Sequence, residues 1–231
     1  MMPMTGKAIG GGLGNLMNLG IGTEIIYSFV IIACSLAIYF GTKELYNLSS
    51  HKGIKYFRQA FLFFAFAYFF RSFIKIILFA FDMKEIRMLL PIFGIITLFI
   101  FIYFSSMAIF YLLYSVAWKK WDSKYAIYLF NFIAFIVALV VILFKDPLVY
   151  LLINILLFIF ITLTVYISYK QSKKKKSSNL YFIYFMLFIF WIFNIIDILI
   201  PNFLERFQLF IYLISMGIFL SIFYKVIKKT N

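Results

Sequence analysis

Seven long apolar stretches, separated by short polar segments, organise the chain. They cover residues 24–40, 56–81, 88–118, 125–144, 148–169, 180–200 and 207–226. A helix needs about 20 mostly apolar residues to cross a bilayer, and these stretches match that length or come close to it. The pattern therefore predicts an all-α protein, a polytopic integral membrane protein built as a bundle of seven transmembrane helices.

The same pattern predicts three parts along the chain. Residues 1–23 are rich in Gly and Met and have no compact apolar core or small-residue cleavage site, so they read as a flexible extracytoplasmic tail and not as a signal peptide. Residues 24–227 form a single seven-helix transmembrane domain, and residues 228–231 form a cytoplasmic tail.

A faint internal repeat is present in the sequence. Residues 106–120 align with residues 215–229. With a different offset, the second apolar stretch aligns with the sixth, which places Arg71 at the position of Asn194. This favours a 3+1+3 organisation, with two parallel three-helix repeats joined by the fourth helix. Chance matching within a Phe- and Ile-rich sequence is the alternative.

Composition places the protein in the membrane and orients it there. Hydrophobic residues make up 65% of the chain and charged residues only 13%, which excludes a soluble domain. The net charge of +14 comes from short loops, so the expected partner is the lipid bilayer and not nucleic acid. Of the 22 Lys and Arg, 15 lie on the C-terminal tail and the loops that share its side, against 5 on the other side. We expect a multi-pass protein of the cell membrane with its N-terminus outside and its C-terminus in the cytoplasm.

The sequence offers little for catalysis or metal binding. It has one cysteine, Cys34, and one histidine, His51, which excludes sites that need several imidazoles. Ser105 and Ser106 have no histidine to act as their base. Lys225 stands at a helix end, where it is misplaced for a retinal Schiff base. We therefore expect no catalytic residues, no metal site, no cofactor and no enzyme.

Polar groups within the apolar stretches are the strongest candidates for a ligand-binding site. At about 1.5 Å per residue, Arg71 lies roughly 15 Å from the outer boundary, Lys75, Asn154 and Asn194 roughly 9 Å, and Asp197 roughly 5 Å. With Asp197 as the only carboxylate, this cluster carries one excess positive charge and would suit an anion. The alternative is a structural ion pair, with Lys75 extending outward to the headgroups.

Two further features have structural interpretations. The small residues Ala33, Ala37 and Gly41 share one face of the first helix and are predicted to let another helix pack closely. A lysine run in the fifth loop would dock anionic lipid or a cytoplasmic partner, or else only anchor that loop inside; it consists of Lys173, Lys174, Lys175 and Lys176.

These observations predict a protein of the sensor or receptor class, which binds a small anionic or polar molecule in an outward-facing pocket within the membrane. A small solute transporter, which works by alternating access between two three-helix halves, is the alternative. Because the chain has no evident output domain, a sensor would need a cytoplasmic signalling partner or a homo-oligomer.

Overall fold

The computed structural model describes residues 9–80, 90–119, 121, 125–144, 146–175, 179–199 and 205–230, with side chains described from residue 22 onward except near several helix ends. This part of the chain is all α-helical. The helices are α1 (Ile9–Gly41), α2 (Lys43–Ser49), α3 (Lys52–Ala80), α4 (Leu90–Ala117), α5 (Tyr125–Phe144), α6 (Pro147–Lys175), α7 (Asn179–Leu199) and α8 (Glu205–Thr230). Seven of these are long, and α2 has only seven residues.

Six spans in the described residues are long and apolar enough to cross a bilayer, and they lie on every long helix except α3. The protein is therefore a polytopic membrane protein associated with the lipid bilayer. Helix α3 carries Arg58, Gln59 and Arg71 among its apolar residues. Its place in the bundle depends on how neighbouring helices compensate those polar groups.

The long helices form a ring with one helix outside it. Helix α1 contacts α3, α3 contacts α4, α4 contacts α6, α6 contacts α7, α7 contacts α8, and α8 returns to α1. Helix α5 packs against α4 and α6 from outside this ring. Only one of its faces is buried, through Phe130, Ala134, Val137, Ala138 and Val141.

The start of the chain differs in detail from the sequence prediction. Helix α1 begins at Ile9, within the segment predicted to be a flexible tail. The first predicted loop also contains helix α2, which starts directly after Thr42. Thr42 donates its hydroxyl proton to the carbonyl of Ile38 at 2.7 Å. Helix α2 ends at Ser49 and is followed by Ser50, which has the left-handed conformation (φ 48°). A seven-residue helix is too short to stand out as a periodic pattern.

Part of the small-residue row on α1 faces away from the described core. Ala33 is exposed, and a Cβ atom added to Gly41 would meet nothing within 4 Å. That this row lets another helix approach therefore stays a prediction. The face that packs inward carries larger residues instead, including Tyr27, Ile31 and Ile38.

Four phenylalanine rings fill the middle of the bundle. Phe61 and Phe64 of α3 meet Phe190 of α7 and Phe219 of α8, with ring centroids 4.7 to 6.5 Å apart. None of the four is more than 1% exposed. We call these residues the phenylalanine plug. Such edge-to-face aromatic packing is stable and leaves little free volume.

One end of the bundle is closed where α3, α4 and α7 meet. A Cβ atom on Gly53 would lie 2.7 Å from the backbone oxygen of Ser115, so only glycine allows α3 to approach α4 this closely. The hydroxyl groups of Ser115 and Tyr184 lie 2.6 Å apart and are buried. Phe57 packs edge-on against the ring of Tyr184. We call this arrangement the closed end.

Candidate functional site

The buried charges of three helices meet at the opposite end of the bundle. Arg71 of α3 donates from Nη2 to Oδ2 of Asp197 on α7 at 3.1 Å. Its Nε donates to Oε1 of Glu24 on α1 at 3.4 Å. The Arg71 side chain keeps 19% of its surface accessible, against 9% for Glu24 and 11% for Asp197. We call these three residues the charged triad; its guanidinium group is still partly open.

The triad forms because α3 and α7 face each other in a constant register. Tyr68 Oη donates to Oδ1 of Asn194 at 3.1 Å, and this pair is separated by 126 residues, the same as Arg71 and Asp197. In each helix the paired residues lie three positions apart, which is close to one helical turn. Two polar rungs therefore connect these helices across the interior.

Asp197 is held from its other side by α8. Gln208 donates from Nε2 to Oδ1 of Asp197 at 3.2 Å and to the hydroxyl oxygen of Tyr212 at 2.9 Å. The Tyr212 ring stacks on Tyr27 of α1, with centroids 4.6 Å apart. The hydroxyl of Tyr27 lies 3.2 Å from that of Tyr68. This network fixes the carboxylate before any ligand arrives, as a preorganised site requires.

The guanidinium of Arg71 has spare hydrogen-bonding capacity. An arginine carries five N–H groups, and the contacts to Glu24 and Asp197 use one each. The remaining three have no acceptor among the described residues. The guanidinium carbon also lies 5.7 Å from the ring centroid of Tyr68 and 5.8 Å from that of Phe101, which keeps the group in position.

A cavity of about 430 Å³ lies beside the triad, which is within the usual size range of small-molecule sites. One wall comes from α1, α3 and α7 and carries all three charged groups together with two apolar residues: Glu24, Tyr68, Phe70, Arg71, Trp191, Asn194, Asp197 and Ile198. The other wall comes from α4 and α6 and has no charged residue, although four of its members carry polar groups: Gly94, Thr97, Leu98, Phe101, Ile102, Ser105, Tyr150, Ile153, Asn154 and Leu157. The charged groups are therefore on the first wall and most of the aliphatic side chains on the second.

The structure brings together four of the five residues predicted to bind a ligand. Arg71, Asn154, Asn194 and Asp197 line this one cavity, although they come from three different helices. The side chain of Lys75 lies outside the described residues. Asn154 also accepts, through its backbone oxygen, a hydrogen bond from Nε1 of Trp191 at 3.3 Å. That these residues bind a ligand remains a proposal.

Sequence reasoning missed Glu24, and this changes the charge of the site. In the sequence Glu24 opens the first apolar stretch, and the predicted cluster has Asp197 as its only carboxylate. Among the described side chains that line the cavity, two carboxylates lie beside one guanidinium. With Lys75, whose side chain lies outside the described residues, the charges of the predicted cluster and Glu24 cancel and leave no excess positive charge. A carboxylate within an apolar stretch is costly in a membrane, and that cost was the available signal for Glu24.

The remaining site predictions lie elsewhere. Lys173 is exposed at the end of α6, with its ammonium group 4.9 Å from the centroid of the Tyr169 ring. The side chains of Lys174, Lys175 and Lys176 lie outside the described residues, so lipid or partner docking by this run remains a prediction. Over the residues with a described position, no group of three or more His, Cys, Asp and Glu side chains could hold a metal ion.

Comparison with known proteins finds a relative in an archaeon. The chain is 30% identical over 211 residues to a protein of Archaeoglobus fulgidus, covering 90% of this chain and 93% of the relative. The chain belongs to the same family as this archaeal protein. The relative is described as an uncharacterized protein, so it adds no activity to what the geometry indicates. No family model matches the chain, and no solved structure matches it.

Proposed function

We propose that this protein is a membrane-embedded binding protein of the sensor or receptor class, and that its ligand is a small polar molecule held in the cavity beside the charged triad. Binding without chemical conversion of the ligand is part of this proposal. The site faces the outer side of the membrane, as the distribution of loop charge predicts.

The open side of Arg71 is the observation that carries the proposal. Three N–H groups of the partly open Arg71 guanidinium have no acceptor among the described residues, and Arg71 lines a 430 Å³ cavity. Buried polar groups in native proteins are nearly always hydrogen-bonded, to protein, water or ligand. A ligand with a carboxylate, carbonyl or hydroxyl oxygen in the cavity would accept hydrogen bonds from Arg71.

The charge balance among the described side chains favours a ligand without net charge over a simple anion. Two carboxylates already lie 3.1 and 3.4 Å from the guanidinium, so its positive charge is compensated before a ligand binds. An added anion would face both carboxylates at short range, and like charges at such distances repel strongly in a low-dielectric site. A neutral or dipolar molecule offers Arg71 an acceptor without that repulsion.

The interior beyond the cavity supports binding without passage. Phe64 lies seven residues before Arg71 on α3, and Phe190 lies seven residues before Asp197 on α7, so the phenylalanine plug sits about 10 Å deeper than the triad. Beyond it, Tyr184 and Ser115 join α7 to α4 at the closed end. A ligand at the triad would thus meet two closed layers before the other side of the membrane.

A transporter is the second candidate, and the helix arrangement favours it. The contacts of α1 with α3 and of α3 with α4 match those of α6 with α7 and of α7 with α8. The two groups of three helices meet twice, through α4 with α6 and through α8 with α1, while α5 lies outside. This is the arrangement expected of two parallel three-helix halves that rock around a central site.

Trp191 provides the test of binding because it lines the cavity and is only 5% exposed. The chain has three tryptophans, and replacing Trp118 and Trp121 by phenylalanine leaves Trp191 as the single reporter. In lipid nanodiscs, a panel of amino acids, polyols and nucleosides should include a compound that changes Trp191 emission saturably. Arg71→Met should abolish that change. A panel without any saturable response would contradict the proposal.

Uptake into proteoliposomes separates the two candidates. For a compound that binds at Trp191, the sensor interpretation expects no accumulation above that of protein-free liposomes. Accumulation that is lost in Arg71→Met would replace the sensor by the transporter. A folded-state control is the unfolding midpoint of the variant measured in the same preparation.

A further inference from the structure

We propose that the ligand is a zwitterion with an apolar body, the chemical class of the α-amino acids with apolar side chains. This inference rests on the proposed function, since it assumes that the cavity binds a small molecule. Beyond the proposed function, it specifies where the charged groups and the apolar side chain of the ligand lie in the cavity.

The charged triad can bind the ammonium and carboxylate groups of such a molecule, which we call its head. A carboxylate group can accept the N–H groups of Arg71 that have no acceptor among the described residues. Asp197 accepts one hydrogen bond at each oxygen, from Arg71 and from Gln208, and an ionised carboxylate has about four lone-pair sites. An ammonium group beside the ligand carboxylate can therefore donate to Asp197. A zwitterion also leaves the net charge of the site unchanged.

The wall formed by α4 and α6 can contact the apolar side chain of the ligand, which we call its body. Along α4 the cavity lining extends from Gly94 to Ser105, a distance of eleven residues or roughly 16 Å. Along α7 the lining from Trp191 to Asp197 extends over only roughly 9 Å. The deeper part of the α4 and α6 wall is formed by Ile102 and Leu157, with Ser105 as its polar member, whereas the ring of Phe101 lies 5.8 Å from the guanidinium carbon of Arg71. A ligand whose head is at the triad would place its remaining part against these apolar side chains.

Four probes test the two parts of the ligand separately. Phenylalanine has the zwitterionic head and an aromatic body, glycine has the head alone, phenethylamine has a cationic head on a similar body, and 3-phenylpropanoate has an anionic head on a similar body. Each is titrated against the single-tryptophan protein in nanodiscs, with Trp191 emission as the readout. Burying an aromatic side chain should make phenylalanine bind about 10- to 100-fold more tightly than glycine. We expect it to exceed both singly charged probes by at least about tenfold.

A matched pair of variants locates the body. Ile153 lines the cavity and is 9% exposed, whereas its neighbour Leu152 is 64% exposed on the outside of α6. Ile153→Ala should weaken phenylalanine binding several-fold without changing glycine binding. Leu152→Ala should change neither. Should Ile153→Ala weaken both probes equally, or neither, the apolar body does not lie on this wall and the inference is overturned.

The outcomes separate this inference from the proposed function. If glycine, phenethylamine or 3-phenylpropanoate binds as tightly as phenylalanine, the cavity is still a binding site but the zwitterionic, apolar class is wrong. If phenylalanine does not bind while a compound of another class does so in an Arg71-dependent way, this inference fails and the proposed function stands. If nothing binds, both fail.

Discussion

Asp197→Asn tests the charged triad because it removes one charge while it keeps the size and the acceptor oxygen of the side chain. The native carboxylate lies 3.1 Å from Arg71 Nη2 and also accepts from Gln208. At an effective dielectric constant of about 20, two unit charges about 4 Å apart attract by about 4 kcal/mol. Asparagine retains part of the hydrogen bonding, and Glu24 still compensates Arg71. We therefore expect a loss of about 1 to 3 kcal/mol in the free energy of unfolding.

The double-mutant cycle with Arg71→Met measures whether the two groups act together. Arg71→Met alone removes the cation that lies 3.1 Å from Asp197 and 3.4 Å from Glu24, and it should also destabilise the protein. In the double variant the second change should cost less, with a coupling energy of about 1 to 2 kcal/mol, as found for groups in contact. The assay is reversible unfolding in detergent, followed by circular dichroism.

Asp146→Asn is the matched control. Asp146 is exposed and caps the start of α6 through a hydrogen bond from the backbone N–H of Leu148 at 2.9 Å. Asparagine caps a helix equally well, so the same chemical change should alter stability by no more than about 0.5 kcal/mol. If the Arg71 and Asp197 changes add within about 0.3 to 0.5 kcal/mol, the two groups are independent and the triad is refuted.

Three other predictions concern the closed end and the orientation. Gly53→Ala should destabilise the protein by about 1 to 3 kcal/mol because the new Cβ atom would lie 2.7 Å from a backbone oxygen of α4. Gly217→Ala is the control: its Cβ atom would enter open space, so the change should be neutral or stabilising by up to about 1 kcal/mol. Equal effects of the two variants in unfolding experiments would contradict the close packing at Gly53. Tyr184→Phe should cost about 1 kcal/mol because it removes the hydroxyl 2.6 Å from Ser115, and an unchanged midpoint would show that this bond contributes nothing. In a cysteine-free chain, a cysteine introduced at Ser50 should be protected from an impermeant thiol reagent in intact cells; labelling from outside would reverse the predicted orientation.

The helices were largely predictable because the length of an apolar stretch is a local property. The predicted stretch 125–144 coincides with α5, and the sixth stretch differs from α7 by one residue at each end. The same reasoning assigned residues 1–23 to a tail, although α1 begins at Ile9. Gly and Met are weak indicators there, because glycine lowers helix propensity without excluding a helix.

The site was only partly predictable because contacts between helices are not local. Arg71 and Asp197 are recognisable in the sequence as charges in apolar stretches. Placing a charge in the bilayer costs free energy, so each charge needs a compensating partner wherever the helices lie. Glu24 stands at the edge of its apolar stretch, where a carboxylate resembles an ordinary boundary residue. Tyr27 and Gln208 gave no signal, since a tyrosine or glutamine near a membrane interface is ordinary. Their roles follow from the meeting of α1, α7 and α8, which a single sequence does not give.

A pair of neighbouring serines provides the most direct measurement of the cavity as a binding site. Ser105 lines the cavity, whereas Ser106 is fully buried and does not. In a chain with Cys34 replaced, Ser105→Cys should react with a small thiol reagent, and phenylalanine should slow that reaction in proportion to occupancy. Ser106→Cys should react far more slowly, with or without phenylalanine. Equal reaction rates at the two positions, or a Ser105→Cys rate that no polar solute changes, would contradict a ligand site beside Arg71.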